Sequence, residues 1–179
     1  MVRNLLRVLS FIGILVFGVF PVSFYGQAKE YRHDVSGTIE NPYIIPKTEH
    51  EIVVDEVLDE AVWQKALVLE LKYEVWPGEN VAAPVKTEVL LIYNKNNLYA
   101  AFRCYDPNPS KIRAHLRDRD ALGEDDRVSL IFDTFNDERR SLDFSVTAQG
   151  IQSDQSGGDS NWDTIWDCDS KITDWGWDA

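Results

Sequence analysis

Cysteine, histidine and basic residues are all scarce in this chain, and each scarcity removes a class of function. Two cysteines and three histidines in 179 residues cannot build a zinc ribbon or a disulfide-rich scaffold. His33, His50 and His115 are scattered, and neither H-E-x-x-H nor G-x-S-x-G occurs, so no metalloprotease or α/β-hydrolase signature is present. Lys and Arg total 18 against 30 Asp and Glu, a formal net charge of −12. That balance argues against nucleic acid and anionic membranes, which both need basic patches. Carboxylate pairs are plentiful, but so many acids guarantee pairs by chance, and no glycosidase dyad can be singled out. The chain reads as a non-catalytic protein. Internal repeats and low-complexity tracts are missing too.

Long apolar runs are also lacking. The longest, Val8–Phe20, falls short of the roughly 20 residues a spanning helix needs. Arg3 and Arg7 precede it, Pro21 breaks it, and Gly26-Gln27-Ala28 places small residues where a signal peptidase reads them. Residues 1–28 therefore have the pattern of a secretory signal peptide, and export is expected. No cysteine stands at the cleavage region, so a lipoprotein anchor is unsupported. In an oxidising compartment Cys104 and Cys168 could bridge; two buried thiols are the competing reading, because spacing does not settle geometry. Cys104 lies in an apolar run rather than an electropositive pocket, which speaks against a nucleophile.

What is present is a succession of short alternating runs. Residues 29–50 form a polar leader without period, and the domain is expected over 51–179. Glu51–Val54 reads as a first strand, and Asp59 as the N-cap of a short turn that pins Trp63 onto a core. Leu67–Tyr73 reads as a strand, followed by the loop Trp76-Pro77-Gly78. Thr87–Tyr93 and Leu98–Cys104 flank the turn Asn94–Asn97 as a hairpin. Ser110–Leu116 suggests a helical turn. Val128, Leu130 and Phe132, then Leu142, Phe144 and Val146, alternate with polar residues as a second, central hairpin. Ile151–Asp154 and Trp166–Thr173 read as further strands, and Trp177-Asp178-Ala179 as the start of another. Such spacing, with almost no helix, predicts an all-β fold. The expected form is an antiparallel β-sandwich, immunoglobulin-like or jelly-roll-like, and incomplete on its C-terminal side.

The run Val53-Val54-Asp55-Glu56-Val57-Leu58-Asp59-Glu60-Ala61-Val62-Trp63 resembles the I-D-G-x-L-D-E-x-x-W opening of family 9 carbohydrate-binding modules, with Glu56 in place of glycine. The resemblance continues through Leu98-Tyr99, Asp106-Pro107, Asp126-Arg127-Val128, Phe132-Asp133-Thr134 and Gly176-Trp177. Cys104–Ile112, Arg119-Asp120 and Asp133–Asp137 are similar to one subgroup, the N-terminal domain of large secreted bacterial proteins with a C-terminal predicted outer-membrane β-barrel. The resemblance implies a β-sandwich of sugar-binding ancestry in the periplasm or at the outer membrane. It also implies a polysaccharide or oligosaccharide partner, or else the barrel domain of the same protein. The family's sugar contacts are altered. Its first sandwiching tryptophan falls at Gly123 and its second would lie beyond Ala179, while a contacting glutamate and arginine match Ser129 and Ser145.

Candidate carbohydrate contacts are accordingly Trp76, Arg119, Asp120, Ser129, Ser145, Trp162 and Trp166, on the outward face of the central hairpin and its adjoining loops. Aromatic faces stack on sugar C–H faces; the alternative for Trp162 and Trp166 is closing the core, and for Arg119-Asp120 a structural ion pair. No cofactor is indicated, with one exception to weigh. Asp118, Asp120 and Gly123 match part of a calcium-loop pattern, but Leu122 and Ser129 break it, which excludes an EF-hand. A looser calcium site from Asp106, Asp120, Asp125 and Asp126 suits a hard cation's preference for loop oxygens, against a merely solvated acidic loop. Sugar binding for a larger envelope protein is the leading expectation. The alternatives are an interaction domain packed on a barrel without binding sugar, and a targeting module of a glycoside hydrolase.

Overall fold

In the computed structural model, residues 41–75, 78–136 and 139–179 are described. The expected all-β antiparallel class is what the chain adopts, as an open, sandwich-like arrangement. A five-stranded sheet is built from β1 (Leu67–Glu70), β4 (Thr87–Tyr93), β5 (Leu98–Tyr105), β9 (Lys171–Ile172) and β10 (Gly176–Asp178), in the order β1-β4-β5-β10-β9. A three-stranded sheet comprises β6 (Arg127–Phe132), β7 (Leu142–Thr147) and β8 (Gln152–Ser156), paired in sequence. A short ribbon joins β2 (Tyr73–Glu74) to β3 (Val81–Ala82).

Strand β4 explains why the larger sheet is stable. Val89, Leu90, Leu91 and Ile92 are all buried, so alternation fails there, and it fails because both faces are covered. Val89 and Leu91, with Phe102, Cys104 and Trp177, pack against Val128, Leu130 and Val146 of the smaller sheet. Leu90, Ile92 and Ala101 pack against Ile52, Val62 and Trp63 on the opposite side. Residues 52–66 thus form a lid over the second face. Glu60 fastens it: one carboxylate oxygen accepts from the Trp63 indole N–H at 3.0 Å and the other from Val53 N–H at 3.0 Å. Removing a buried tryptophan of this kind costs on the order of 3–5 kcal/mol.

Both predicted hairpins form. Asn94 Oδ1 accepts from the amides of Asn96 and Asn97 at 2.9 and 2.8 Å, an Asx turn that fixes the β4–β5 register. In the β6–β7 pair, Ser129 faces Ser145 and Leu130 faces Phe144. Some expected elements differ. Glu51–Val54 is not a strand; Ile52 alone turns into the core, and the segment is lid. Trp63 is pinned as expected, but by a 3-10 turn at Ala61–Lys65 whose N-cap is Glu60, not Asp59. Of Trp166–Thr173 only Lys171–Ile172 pairs, because residues 162–170 make side-chain contacts to β7 and β8 instead. The helical turn expected over Ser110–Leu116 is confined to Pro109–Lys111. The packed structure also begins before residue 51. Thr48 N–H donates to Tyr93 O at 2.8 Å and Tyr93 N–H to Pro46 O at 3.1 Å, which ties the end of the leader to β4. Residues 1–28, the expected signal peptide, lie outside the described residues.

Glu56 has φ +66°. The position where the resembled motif carries glycine thus keeps a left-handed backbone that a side chain disfavours.

Candidate functional site

The residues singled out from sequence separate into two groups on opposite faces of the three-stranded sheet. Ser129 and Ser145 meet on its outward face with their hydroxyls 2.7 Å apart. Ser153 continues the row on β8, and Gln155 donates to Asp143 at 2.8 Å beside it. Trp162 and Trp166 lie with the core-facing side chain of Phe144, edge-on to its ring at centroid distances of 6.2 and 5.4 Å. Trp166 also packs against the inter-sheet core. These two tryptophans close the sandwich and do not form a platform over the serines. Trp76 lies outside the described residues.

Arg119 and Asp120 hold the chain together. The Arg119 guanidinium donates to the fully buried carboxylate of Asp154 at 2.5 Å, to Gln152 Oε1 at 2.7 Å and to Thr164 O at 2.9 Å. Asp154 Oδ2 accepts from Thr164 N–H at 2.7 Å, and Asp120 Oδ1 accepts from Asp154 N–H at 3.3 Å. The loop before β6, strand β8 and the segment around Thr164 are therefore braced on one part-buried ion pair. Gly123, where the resembled family has a sugar-stacking tryptophan, has φ +59°, and the Arg117 guanidinium sits 2.8 Å from where a Cβ would be. A large side chain there would displace that arginine.

The four aspartates of the proposed calcium site do not converge. Asp125 is buried and accepts from His115 N–H at 3.0 Å and from Arg117 Nε at 3.3 Å, with His115 Nδ1 at 2.6 Å. Burial opposes its ionisation, but the bonds from His115 and Arg117 outweigh burial and hold the carboxyl below its ordinary range. Asp126 accepts from Arg113 N–H at 3.1 Å and its guanidinium at 3.3 Å, and Asp106 from Asn108 N–H at 2.6 Å. Among the described residues no group of three or more His, Cys, Asp or Glu side chains is placed to hold a metal. The cysteines do not bridge: Cys104 is a buried free thiol and Cys168 a half-buried one. Burial raises both thiols above their ordinary range, which disfavours the reactive thiolate.

An open groove of about 520 Å³ lies instead at the end of the five-stranded sheet, where β4 begins, β5 ends and β10 begins. Its aromatic wall is Tyr105 and Trp175, with ring centroids 5.1 Å apart and planes inclined at 41°. Pro84, Val85 and Pro107 add apolar surface, and Lys86, Asp106 and Asp174 add charge. The backbone explains the juxtaposition. Tyr105 N–H donates to Lys86 O at 3.0 Å and Asp106 N–H to Trp175 O at 3.0 Å. Gly176, paired with Tyr105, has φ +149°, and a Cβ there would stand 2.0 Å from Cys104 O. Only glycine lets β10 approach β5 so closely and deliver Trp175 beside Tyr105.

The polar groups at this wall are ordered. Lys86 Nζ is 2.7 Å from Glu88 Oε1 and 4.9 Å from the Tyr105 ring centroid, while Tyr105 Oη donates to Glu88 Oε2 at 3.0 Å. The bond from Lys86 holds the Glu88 carboxyl low, with help from Tyr105. Burial, then the bond to Glu88, pushes the Tyr105 phenol up, so it stays a neutral donor.

No protein-family model, curated protein or solved structure matches this chain. The geometry of the groove therefore bears the functional argument. Its residues escaped sequence reasoning because Trp175 reads as part of the turn Asp174-Trp175-Gly176, and Tyr105 as the residue after a strand. The available signal was an aromatic beside Gly or Asp-Pro at strand ends, where a core residue is not required.

Proposed function

We propose that this domain binds carbohydrate, without catalysis, in the groove walled by Tyr105 and Trp175. The observation that carries the reading is a paired aromatic wall bordered by ordered polar groups at the strand ends of a β-sheet. Sugars present apolar C–H faces rimmed by hydroxyls, and they match a ring face flanked by donors and acceptors. Asp106 and Asp174 supply acceptors around the rings, and Lys86 is held against Glu88 beside them. The resemblance to family 9 carbohydrate-binding modules supports the same class of ligand, with the contact moved away from the family's own positions. Export as part of a larger envelope protein is the setting this function fits.

Isothermal titration of the full chain with neutral oligosaccharides tests the reading. Removing a stacking ring costs roughly 1–2 kcal/mol, so Trp175→Ala should weaken binding about tenfold or more. Trp162→Phe, a change at the core edge, should leave the affinity within about twofold if the fold is kept. Binding lost in Trp162→Phe but kept in Trp175→Ala would place the site elsewhere. A folded protein that binds no glycan would instead favour an interaction domain.

A further inference from the structure

The groove also carries charge around its rings, and the charge has a sign. Among the described residues Lys86 is the one cation of the lining, and it is already committed, with its ammonium against Glu88 and over the Tyr105 ring. Two carboxylates border the same rings. Asp106 has one oxygen held by Asn108 N–H, and Asp174 is exposed and adjacent to Trp175. The ligand therefore meets π-faces and carboxylates, with the lysine neutralised. Ring faces and carboxylates both favour a cation. The chain as a whole acts in the same direction, since a net charge of −12 raises the concentration of positive ligands near the protein and repels negative ones.

Resting on the carbohydrate reading above, we infer that the groove prefers ammonium-bearing sugars. Deacetylated hexosamine units would bind ahead of neutral sugars, and uronate-bearing chains would be disfavoured. The sugar ring lies on Trp175, and its ammonium reaches Asp174 and the free oxygen of Asp106. The committed Lys86 is not offered to a uronate carboxylate.

The test uses three oligosaccharides of equal length: glucosamine oligomers, their N-acetylated counterparts, and oligogalacturonate. Each is titrated calorimetrically into the full chain at about pH 5, where amines are charged and carboxylates ionised. The glucosamine oligomer should bind roughly three- to tenfold more tightly than the N-acetylated one, with oligogalacturonate weakest. The advantage should shrink as salt is raised. The double variant Asp106→Asn/Asp174→Asn should erase the preference, bringing the affinity for the glucosamine oligomer down to that for the N-acetylated one. Equal affinity for all three, or tighter binding of oligogalacturonate, overturns the charge preference and leaves the carbohydrate reading standing. Glucosamine binding that survives Trp175→Ala is diffuse attraction to an acidic surface and also overturns it. Absence of binding to every sugar removes both readings.

Discussion

Arg119 offers the sharpest test of how this fold is braced. Arg119→Met keeps the length and apolar stem of the side chain but removes the cation from the Asp154 carboxylate, which is fully buried and 2.5 Å away. Breaking one side of a buried pair typically costs about 3–5 kcal/mol, because a charge is left buried without compensation. Two features lower that figure here. Thr164 N–H still donates to Asp154 at 2.7 Å, and the Arg119 side chain is 34% exposed, so water reaches the vacated position. A loss of roughly 2–3 kcal/mol is expected, or a Tm lower by about 5–10 °C for a domain of this size. Circular dichroism and tryptophan fluorescence melts should report it together. Arg119→Met/Asp154→Leu, which removes both charges, should recover a large part of the loss. If the single variant melts within a degree of the parent, or the double is no more stable than the single, Arg119 is not a brace.

Three further outcomes follow from backbone and burial. Glu56→Gly relieves a left-handed φ of +66°; after glycine's own entropic cost the protein should gain about 0.5–1 kcal/mol in chemical denaturation, and a net loss would refute the strain at this position. Gly176→Ala brings a Cβ against Cys104 O at a φ of +149°; it should cost roughly 3 kcal/mol or more and weaken glycan binding by displacing Trp175, and unchanged stability would contradict the close β5–β10 approach. Burial raises the Asp178 carboxyl above its ordinary range, and its Oδ1 is buried without a partner. The charged form is thus disfavoured in the folded state, and the penalty is present at neutral pH. It is relieved as pH falls through the raised folded pKa toward the unfolded value near about 3.9. Asp178→Asn should therefore raise Tm at pH 7, with the gain shrinking through the acid range; a gain independent of pH would refute the assignment.

The parts of this molecule legible in its sequence are those set by neighbouring residues. The alternation of Val128, Leu130 and Phe132 and the turn Asn94–Asn97 place two hairpins, because hairpin register depends on local pattern and turn chemistry. Trp63 was readable as a plug for the same reason. The lid was not, because Glu51–Val54 has strand composition, and only the unbroken apolar run Val89–Ile92 hints that a second face needs cover. The serine pair Ser129–Ser145 was correctly placed on the outward face. Trp162 and Trp166 were also readable as core-closing residues, but alternation could not decide between that and a ligand platform. Asp125 and Asp126 have the composition of cation ligands, and their partners Arg113, His115 and Arg117 stand in a separate stretch of chain that composition does not connect to them. Sequence also gave no route to the groove. Tyr105 and Trp175 are distant in the chain, and β10 brings them together only because Gly176 admits the approach.

The most direct measurement is a nitrogen–proton correlation spectrum of the six tryptophan indoles, assigned by single Trp→Phe variants and followed through a titration with glucosamine or N-acetylglucosamine oligomers. If the groove is the site, the Trp175 indole signal shifts saturably, while those of Trp63, Trp162, Trp166 and Trp177 stay in place. Movement centred on Trp162 and Trp166, or no movement of Trp175 at saturating sugar, would contradict a binding site at the Tyr105–Trp175 wall.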